Sequence, residues 1–389
     1  MLRLALLSAL RLAASSEPSC EAAGAASCES PHAASYAAFS ASATTLPRQA
    51  QGQGHEAGLL ALQLASDNRR WQVSQVLPDR RLGDLQLADE YLAEGVLSAF
   101  RRTDEEQLLV LRTLKGGTRS FLGPRWRELG PVEEGGPAVS SLSAARDGRL
   151  LALGHRGGLV TLRAFEGGAW LEVARAKVSH HEWESVTLTA LSDDGGLLLA
   201  ASEDNVMLFW LEADEVTEVK HLHGGATQIS AACIAELSEK RYLAVVAYQR
   251  GGLEGWTVDG RTLQVAWKIP GERPMARLDA ALAADLPSML LAAAGTDGSV
   301  TVWSLTALGA LASPAAGRWS SGPRSGAASC LRLLRIKPAL VGILRYGKEA
   351  PQWLLATGFQ KEVVVLDPLT GSELQRFKGR QPVAACQWR

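Results

Sequence analysis

The stretch LLAAAGTDGSVTVWSL, residues 290–305, decides the fold because its pattern recurs along the chain. An apolar run leads into a turn at Thr296–Gly298 and then into an alternating segment that contains Trp303. Asp-Gly between two apolar runs is a strong signal for a β-hairpin. The stretch therefore predicts two antiparallel strands joined by a tight turn.

Six other segments repeat this pattern. They read LLALQLASDNRRWQV (59–73), LLVLRTLKGGTRSFL (108–122), LLALGHRGGLVTLRAF (150–165), LLLAASEDNVMLFWL (197–211), YLAVVAYQRGGLEGW (242–256) and WLLATGFQKEVVVLD (353–367). Successive turns lie about 40 to 50 residues apart, except that an insertion at 337–352 lengthens the last interval. Strand-rich repeats of this length are typical of β-propeller blades.

Each unit also has an apolar, Ala- and Ser-rich segment before the hairpin and a more charged one after it, which predicts four strands per blade. The chain ends on PVAACQWR (382–389), which is similar to a first strand with nothing after it, whereas the unit near residue 59 lacks that strand. We therefore expect an all-β, seven-bladed β-propeller of four-stranded antiparallel blades over residues 55–389. The C-terminal strand should close the ring by pairing into the N-terminal blade.

The repeats resemble the WD-repeat family of seven-bladed propellers. The matching residues are the Asp147–Gly148 turn between first and second strands, the turn TDG (296–298) and the VTVW segment (300–303). No repeat has Trp-Asp at the end of its third strand, and the Gly-His pair of the connection between blades is missing. The resemblance implies a scaffold that binds other proteins, without the hydrogen-bonded tetrad of regular family members.

The first 54 residues differ from the rest and are predicted to be a low-complexity, disordered extension. The segment MLRLALLSALRLAASS has two arginines and no acid before Glu17, which fits an organelle presequence as well as a tail without a targeting signal. We expect a cytoplasmic or nuclear protein, or a mitochondrial or plastid one if residues 1–54 are a cleaved transit peptide. No apolar run reaches the ~18 residues of a membrane span.

The composition favours a globular protein that does not bind nucleic acid non-specifically. The chain contains 40 Lys and Arg against 41 Asp and Glu, so it lacks the basic excess typical of such binding. Its five cysteines never occur at CxxC spacing, which predicts buried free thiols and neither a disulfide framework nor a zinc cluster.

No motif in the sequence indicates catalysis. Nucleophile-elbow, P-loop and HExxH patterns are missing. The segment SHHEWES (179–185) groups two histidines with two glutamates, but adjacent residues of one loop point apart, and a polar loop is the simpler interpretation. We therefore predict no catalytic residues, no metal, no cofactor and no enzymatic activity.

The candidate binding residues lie on the face that carries the connections between blades and the turns between second and third strands. They are Trp183, His181, Arg156, Arg250, Arg273 and Arg69. A tryptophan among arginines is typical of interface hot spots, although Trp183 packed onto the blade rim is the alternative. In contrast, Trp210, Trp256 and Trp303 occupy one repeat position and should pack between blades.

These observations favour a non-catalytic scaffold or adaptor, which as a monomeric propeller binds one or more proteins within a larger complex. One alternative is a reader of nucleic acid or acidic lipid that uses the arginine-bearing face. Another is a hydrolase with a site in the central channel, although the first strands offer hydroxyls and methyl groups rather than metal ligands.

Overall fold

A computed structural model describes the backbone from residue 59 to residue 388 with gaps. The gaps are 65–69, 78, 87–92, 102–106, 114–116, 124–125, 146–147, 149, 204, 213–214, 224–227, 272–273, 283–287, 307–308, 311–318, 323, 325, 336–352 and 379–382. Side chains are described from residue 108 onward, except in these gaps and at 113, 215, 221–223, 281–282, 288, 334–335 and 383–388. The described residues belong to one compact unit, Glu56–Arg389. The predicted extension at 1–54 lies outside them.

The described chain is built from β-strands. The first three are β1 (Leu59–Leu64), β2 (Arg70–Leu77) and β3 (Asp79–Gln86). Groups of four follow: β4 (Ala93–Arg101), β5 (Gln107–Thr113), β6 (Thr118–Leu122), β7 (Arg127–Gly130); β8 (Val139–Ala144), β9 (Leu150–His155), β10 (Leu159–Glu166), β11 (Ala169–Lys177); β12 (Leu188–Leu191), β13 (Leu197–Ala201), β14 (Asn205–Glu212), β15 (Glu215–His223); β16 (Ile229–Ser238), β17 (Arg241–Tyr248), β18 (Leu253–Asp259), β19 (Thr262–Ile269); β20 (Met275–Leu282), β21 (Ser288–Gly295), β22 (Val300–Thr306), β23 (Trp319–Ser320); β24 (Ala328–Arg335), β25 (Trp353–Phe359), β26 (Glu362–Leu366) and β27 (Glu373–Lys378). The last strand is β28 (Val383–Trp388).

Among the described strands, pairing produces seven four-stranded antiparallel sheets. Six of them are blades of four consecutive strands, from β4–β7 to β24–β27. The remaining sheet has the order β28-β1-β2-β3, so it joins the two ends of the propeller. Gln387 pairs with Leu60 and Ala385 with Leu62, as expected from the unpaired first-strand pattern at the C-terminus.

The expectation of seven like blades needs a correction. Six units are blades of consecutive strands whose side-chain packing the structure describes, whereas the sheet β28-β1-β2-β3 is composite and is described by backbone pairing alone. The physical reason is connectivity: a ring of sheets made from one open chain needs one sheet that draws on both ends of the chain to avoid a free edge.

The first strand of each sheet is the innermost. Strands β4, β8, β12, β16, β20, β24 and β28 each contact the next around a common axis, and β28 contacts β4. Antiparallel four-stranded blades arranged in this way are a β-propeller, so that part of the prediction is confirmed.

The core lies between neighbouring blades. Trp210 and Trp256 belong to one buried cluster and Trp303 to another, and each of the three side chains is buried. Trp210 contacts Tyr242 of the next blade edge to face, with ring centroids 5.5 Å apart. The prediction that these tryptophans pack between blades is therefore correct, and such large buried aromatic rings stabilise the blade contacts.

A β-bulge recurs near the start of the innermost strands. It leaves one unpaired residue near the start of each of five strands, namely Glu94, Ser140, Ser230, Ala276 and Ser329. The three serine hydroxyls donate to carbonyl oxygens of the adjacent second strand, as from Ser329 Oγ to Gly358 O (3.2 Å). Because a bulged residue is outside the regular ladder, its own carbonyl oxygen is available to other donors.

The cysteines follow the prediction only in part. Cys233 is a buried free thiol, but Cys330 is disulfide-bonded, which corrects the expectation of free thiols throughout. Irregular spacing along the chain did not reveal this bond because the ring brings sequence-distant strands together. In the part of the chain that the structure describes, no helical segment is long and apolar enough to span a bilayer.

Candidate binding face

One face of the propeller carries the connections between blades and the turns between second and third strands, and we call it the loop face. Backbone hydrogen bonds show that the two kinds lie side by side. Gly157 N–H donates to Glu184 O (2.7 Å), Gln249 N–H to Gln228 O (2.8 Å) and Thr296 N–H to Pro274 O (3.1 Å). In each pair the donor lies between second and third strands, and the acceptor precedes a first strand.

The most prominent feature of the loop face is the connection between β11 and β12, residues 178–187, which we call the 178–187 loop. Its two ends are fixed by backbone hydrogen bonds to the neighbouring turn. Val178 N–H donates to Gly158 O (2.7 Å), and Val186 N–H donates to His155 O (3.0 Å). Arg156 forms an isolated β-bridge with Ser185. The base of the loop is therefore held by several contacts.

Glycine is required where the turn meets this loop. Gly158 has a φ of +70°, and a Cβ atom at that position would lie 2.7 Å from Ser179 O. Both the left-handed backbone and the contact exclude a side chain. Gly157–Gly158 thus lets the turn approach the loop closely enough to hydrogen-bond with it.

Glu184 fixes the loop to the following blade. Its side chain is 1% exposed, and its Oε2 accepts hydrogen bonds from Ser202 Oγ (3.0 Å) and Asn205 Nδ2 (3.2 Å). Burial raises the pKa of this carboxyl group, but hydrogen bonds from Ser179, Ser202 and Asn205 and the charge of His181 outweigh it and hold the pKa below its usual value. Glu184 is therefore a stable carboxylate under the loop.

The tip of the loop is exposed. Trp183 is 68% exposed, and its ring stacks on that of His181 with centroids 5.3 Å apart and planes 23° from parallel. The His181 backbone N–H donates to Ser179 Oγ (3.0 Å), which holds the turn in place. Trp183 does not pack onto the blade rim, so the structure does not support that alternative.

The predicted arginines are described only in part. Arg156 is exposed and lies next to the loop through its bridge to Ser185. Arg250 is exposed in the corresponding turn between β17 and β18, on the same face but two blades farther along. Arg69 and Arg273 lie outside the described residues, so their part in this face stays a prediction.

The loop does not combine its polar residues into a metal site. The side chains of Glu184 and Trp183 differ sharply in exposure although they are adjacent. Among the described residues, no group of three or more His, Cys, Asp or Glu side chains could hold a metal ion. The side chains of His221 and His223 lie outside the described part of the structure.

The buried polar network below the tip was not predicted from the sequence. The WD-repeat tetrad was expected not to form, but in two blades an acid from the connection between blades contacts a polar residue at the end of a second strand. Glu184 Oε2 bonds Ser202, and Glu133 Oε2 lies 3.4 Å from Nε2 of the buried His155. His155 and Ser202 occupy equivalent positions in LLALGH and LLLAAS, which is the signal that would have indicated the network.

Comparison with known proteins supports the fold. No protein-family model matches the chain, and no curated protein sequence matches it significantly. Solved structures do match. The computationally designed protein Ika8 is 17% identical with a TM-score of 0.54, covering 87% of this chain and 92% of the other.

Two natural proteins are similar to the same degree. Sqt1 of Chaetomium thermophilum, solved bound to the N-terminus of the ribosomal protein L10, is 14% identical with a TM-score of 0.54, covering 85% of this chain and 89% of the other. A putative 6-phosphogluconolactonase of Bacteroides fragilis is 13% identical with a TM-score of 0.57, covering 88% and 100%. At these identities the likeness establishes a β-propeller and nothing more specific.

Proposed function

We propose that this chain is a non-catalytic, WD-repeat-like scaffold that binds a partner protein through the loop face, with the 178–187 loop at the centre of the interface. The exposed Trp183 ring carries the proposal. A large apolar ring that is 68% exposed in a folded domain leaves a substantial area to be covered by a partner.

The rigidity of the loop supports the same function. Its base is fixed by backbone hydrogen bonds and by Glu184, and its tip is braced by the stack on His181. A side chain that is already held in place loses little conformational entropy when it is buried in an interface. Arg156 is exposed and its backbone pairs with Ser185 of the same loop, and arginine is also enriched at hot spots.

The structural neighbours are compatible with this function, since Sqt1 was solved with a bound segment of another protein. The lactonase neighbour has the same fold, so the fold does not choose between a scaffold and an enzyme. The proposal of a non-catalytic role therefore depends on the loop, on the lack of catalytic motifs in the sequence, and on experiment.

The test isolates the full chain with its partners from the cells that make it and then measures binding with purified components. Trp183→Ala is compared with Leu171→Ala, because Leu171 is an exposed apolar residue of the outer strand β11, away from the loop face. We expect a stoichiometric protein partner with the wild type and L171A, and at least a tenfold loss of affinity with W183A.

Two outcomes would contradict the proposal. In the first, no protein copurifies in stoichiometric amount. In the second, W183A binds the purified partner as tightly as L171A does.

A further inference from the structure

The innermost strands β20 and β24 carry charged residues that the proposed interface does not use. Arg277 and Asp279 lie on β20, and Arg332 lies on β24. In the described strands β8, β12 and β16, Glu236 is the one charged residue. The innermost strands β20 and β24 therefore carry more charged residues than the innermost strands β8, β12 and β16 do.

Arg277 is held by two neutral acceptors. Its Nε donates to Ser329 O (3.1 Å) and its Nη1 to Ala276 O (2.8 Å). Ala276 and Ser329 are the bulged residues of β20 and β24, so both carbonyl oxygens are outside the regular ladder. Among the described residues, no carboxylate forms an ion pair with Arg277, and its Nη2 has no hydrogen-bond partner.

The charges of Arg277 and Arg332 lie close enough to act on each other. Loss of hydration lowers the pKa of Arg277, and the charge of Arg332 lowers it further. The carboxylate beside them is Asp279, whose Oδ1 lies 3.8 Å from Arg332 Nη1 and whose Oδ2 accepts the Leu333 N–H (2.7 Å). Burial raises the pKa of Asp279 to about 6, but at pH 7.5 the group is still ionised and opposes the binding of an anion.

The geometry points to an oxyanion site between the neighbouring strands β20 and β24, in which Arg277 and Arg332 bind a phosphate group. A guanidinium presents parallel N–H donors that match two oxygens of a phosphate, and such charge-assisted bonds are stronger than neutral ones. The two carbonyl contacts orient Arg277 before an anion arrives, which reduces the entropic cost of binding.

This site goes beyond the proposed interface because its ligand is a small anion at the axis of the ring rather than a protein at the 178–187 loop. Inorganic phosphate and the phosphate monoester of a small metabolite present the same chemistry. The experiment must therefore offer both.

The experiment titrates the full chain by calorimetry at pH 7.5 and low ionic strength with inorganic phosphate and, separately, with glycerol phosphate. Variants Arg277→Gln and Arg332→Gln remove one guanidinium each. Arg175→Gln is the matched control, because Arg175 is exposed on the outer strand β11. We expect saturable binding in the wild type and R175Q, and binding weaker by about ten- to a hundredfold in R277Q.

Asp279→Asn tests the site in the opposite direction. The substitution removes a negative charge that lies 3.8 Å from Arg332, so phosphate should bind a few times more tightly than to the wild type. Since this variant gains affinity, its result cannot be explained by misfolding.

Preference between the two probes identifies the source of the phosphate group. Tighter binding of glycerol phosphate supports a monoester ligand, and equal binding supports free phosphate. The proposal is overturned if neither probe binds saturably, or if R277Q binds as the wild type does. Should R277Q fail to fold, unchanged binding in both R332Q and D279N would overturn it equally.

Discussion

Two carboxylates, the buried Glu184 under the 178–187 loop and the partly buried Asp279 on the innermost strand β20, differ in the direction of their pKa shifts. The pKa of Glu184 is held below its usual value, whereas that of Asp279 is raised to about 6. Glu184 receives side-chain hydrogen bonds from a serine and an asparagine of the next blade. Asp279 accepts a backbone N–H from Leu333, and its arginine neighbour is 3.8 Å away.

The comparison shows that donors, rather than burial alone, decide whether a carboxylate stabilises this fold. Where two or three donors face the carboxylate, the lost hydration is replaced and the charge is tolerated. At Asp279, the backbone N–H groups of Leu333 and Ala280 and the charge of Arg332 also lower the pKa, but desolvation outweighs them. Substitution of each acid by its amide should therefore change stability in opposite directions.

The largest effect is expected from Glu184→Gln. The glutamine carbonyl oxygen can take the place of Oε2, which accepts from both Ser202 and Asn205, but the negative charge that these donors stabilise would be lost. We expect the free energy of unfolding in urea at pH 7.5 to fall by about 2–4 kcal/mol.

The pH dependence of that loss has a definite sign. Because the folded pKa of Glu184 is lowered, its contribution is present above the unfolded pKa of about 4.3 and is lost as the pH falls through the folded value. The difference between E184Q and the wild type should thus narrow at acidic pH. A difference that stays constant down to pH 3 would contradict this account.

Asp279→Asn should have a smaller effect of the opposite sign. The folded pKa of about 6 lies above the unfolded value, so the wild type loses stability as the pH rises between about 4 and 6. The asparagine oxygen can still accept the Leu333 N–H. We expect the free energy of unfolding in urea at pH 7.5 to be higher for D279N than for the wild type by about 1–3 kcal/mol.

The two unfolding curves of D279N and the wild type should converge below pH 4. Greater stability of the wild type at pH 7.5 would show that the Arg332 interaction outweighs desolvation. In that case the contrast between the two carboxylates would fail.

Ser202→Ala should sharpen the comparison by making Glu184 more like Asp279. The buried hydroxyl donates to Glu184 Oε2 and accepts the Asn205 N–H, so its loss removes one donor from the carboxylate. We expect the pKa of Glu184 to rise and stability to fall by about 1–2 kcal/mol. Unfolding measured between pH 3 and 7.5 should show a weaker pH dependence than in the wild type.

The smallest effect on stability is expected from Trp183→Ala. The ring is 68% exposed and its described ring contact is the stack on His181, so urea unfolding should change by less than about 0.5 kcal/mol. A loss above 2 kcal/mol would show that Trp183 is structural, and its proposed place in an interface would lose its basis.

Much of the fold could be predicted because it depends on local pattern. Alternating apolar residues and Asp-Gly turns specify hairpins, and their repetition specifies blades. The pairing of Gln387 with Leu60 also followed from strand counting. The disulfide at Cys330 could not be predicted in this way, because it depends on contacts between distant segments.

The binding face was predictable in outline only. The loop containing Trp183 and His181 and its proximity to Arg156 followed from the expected topology. The role of Glu184 did not, because a glutamate in a polar loop gives no sign that a serine and an asparagine of the next blade will surround it.

By itself, the sequence determined a β-propeller of four-stranded blades, since strand period, turn chemistry and repeat length are properties of short segments. Contacts between blades, in contrast, make Glu184 a hydrogen-bonded carboxylate and Asp279 a desolvated one, and they place Arg277 against two bulge carbonyl oxygens. The physical reason is that solvation and charge depend on which groups meet in space, and those groups come from different blades.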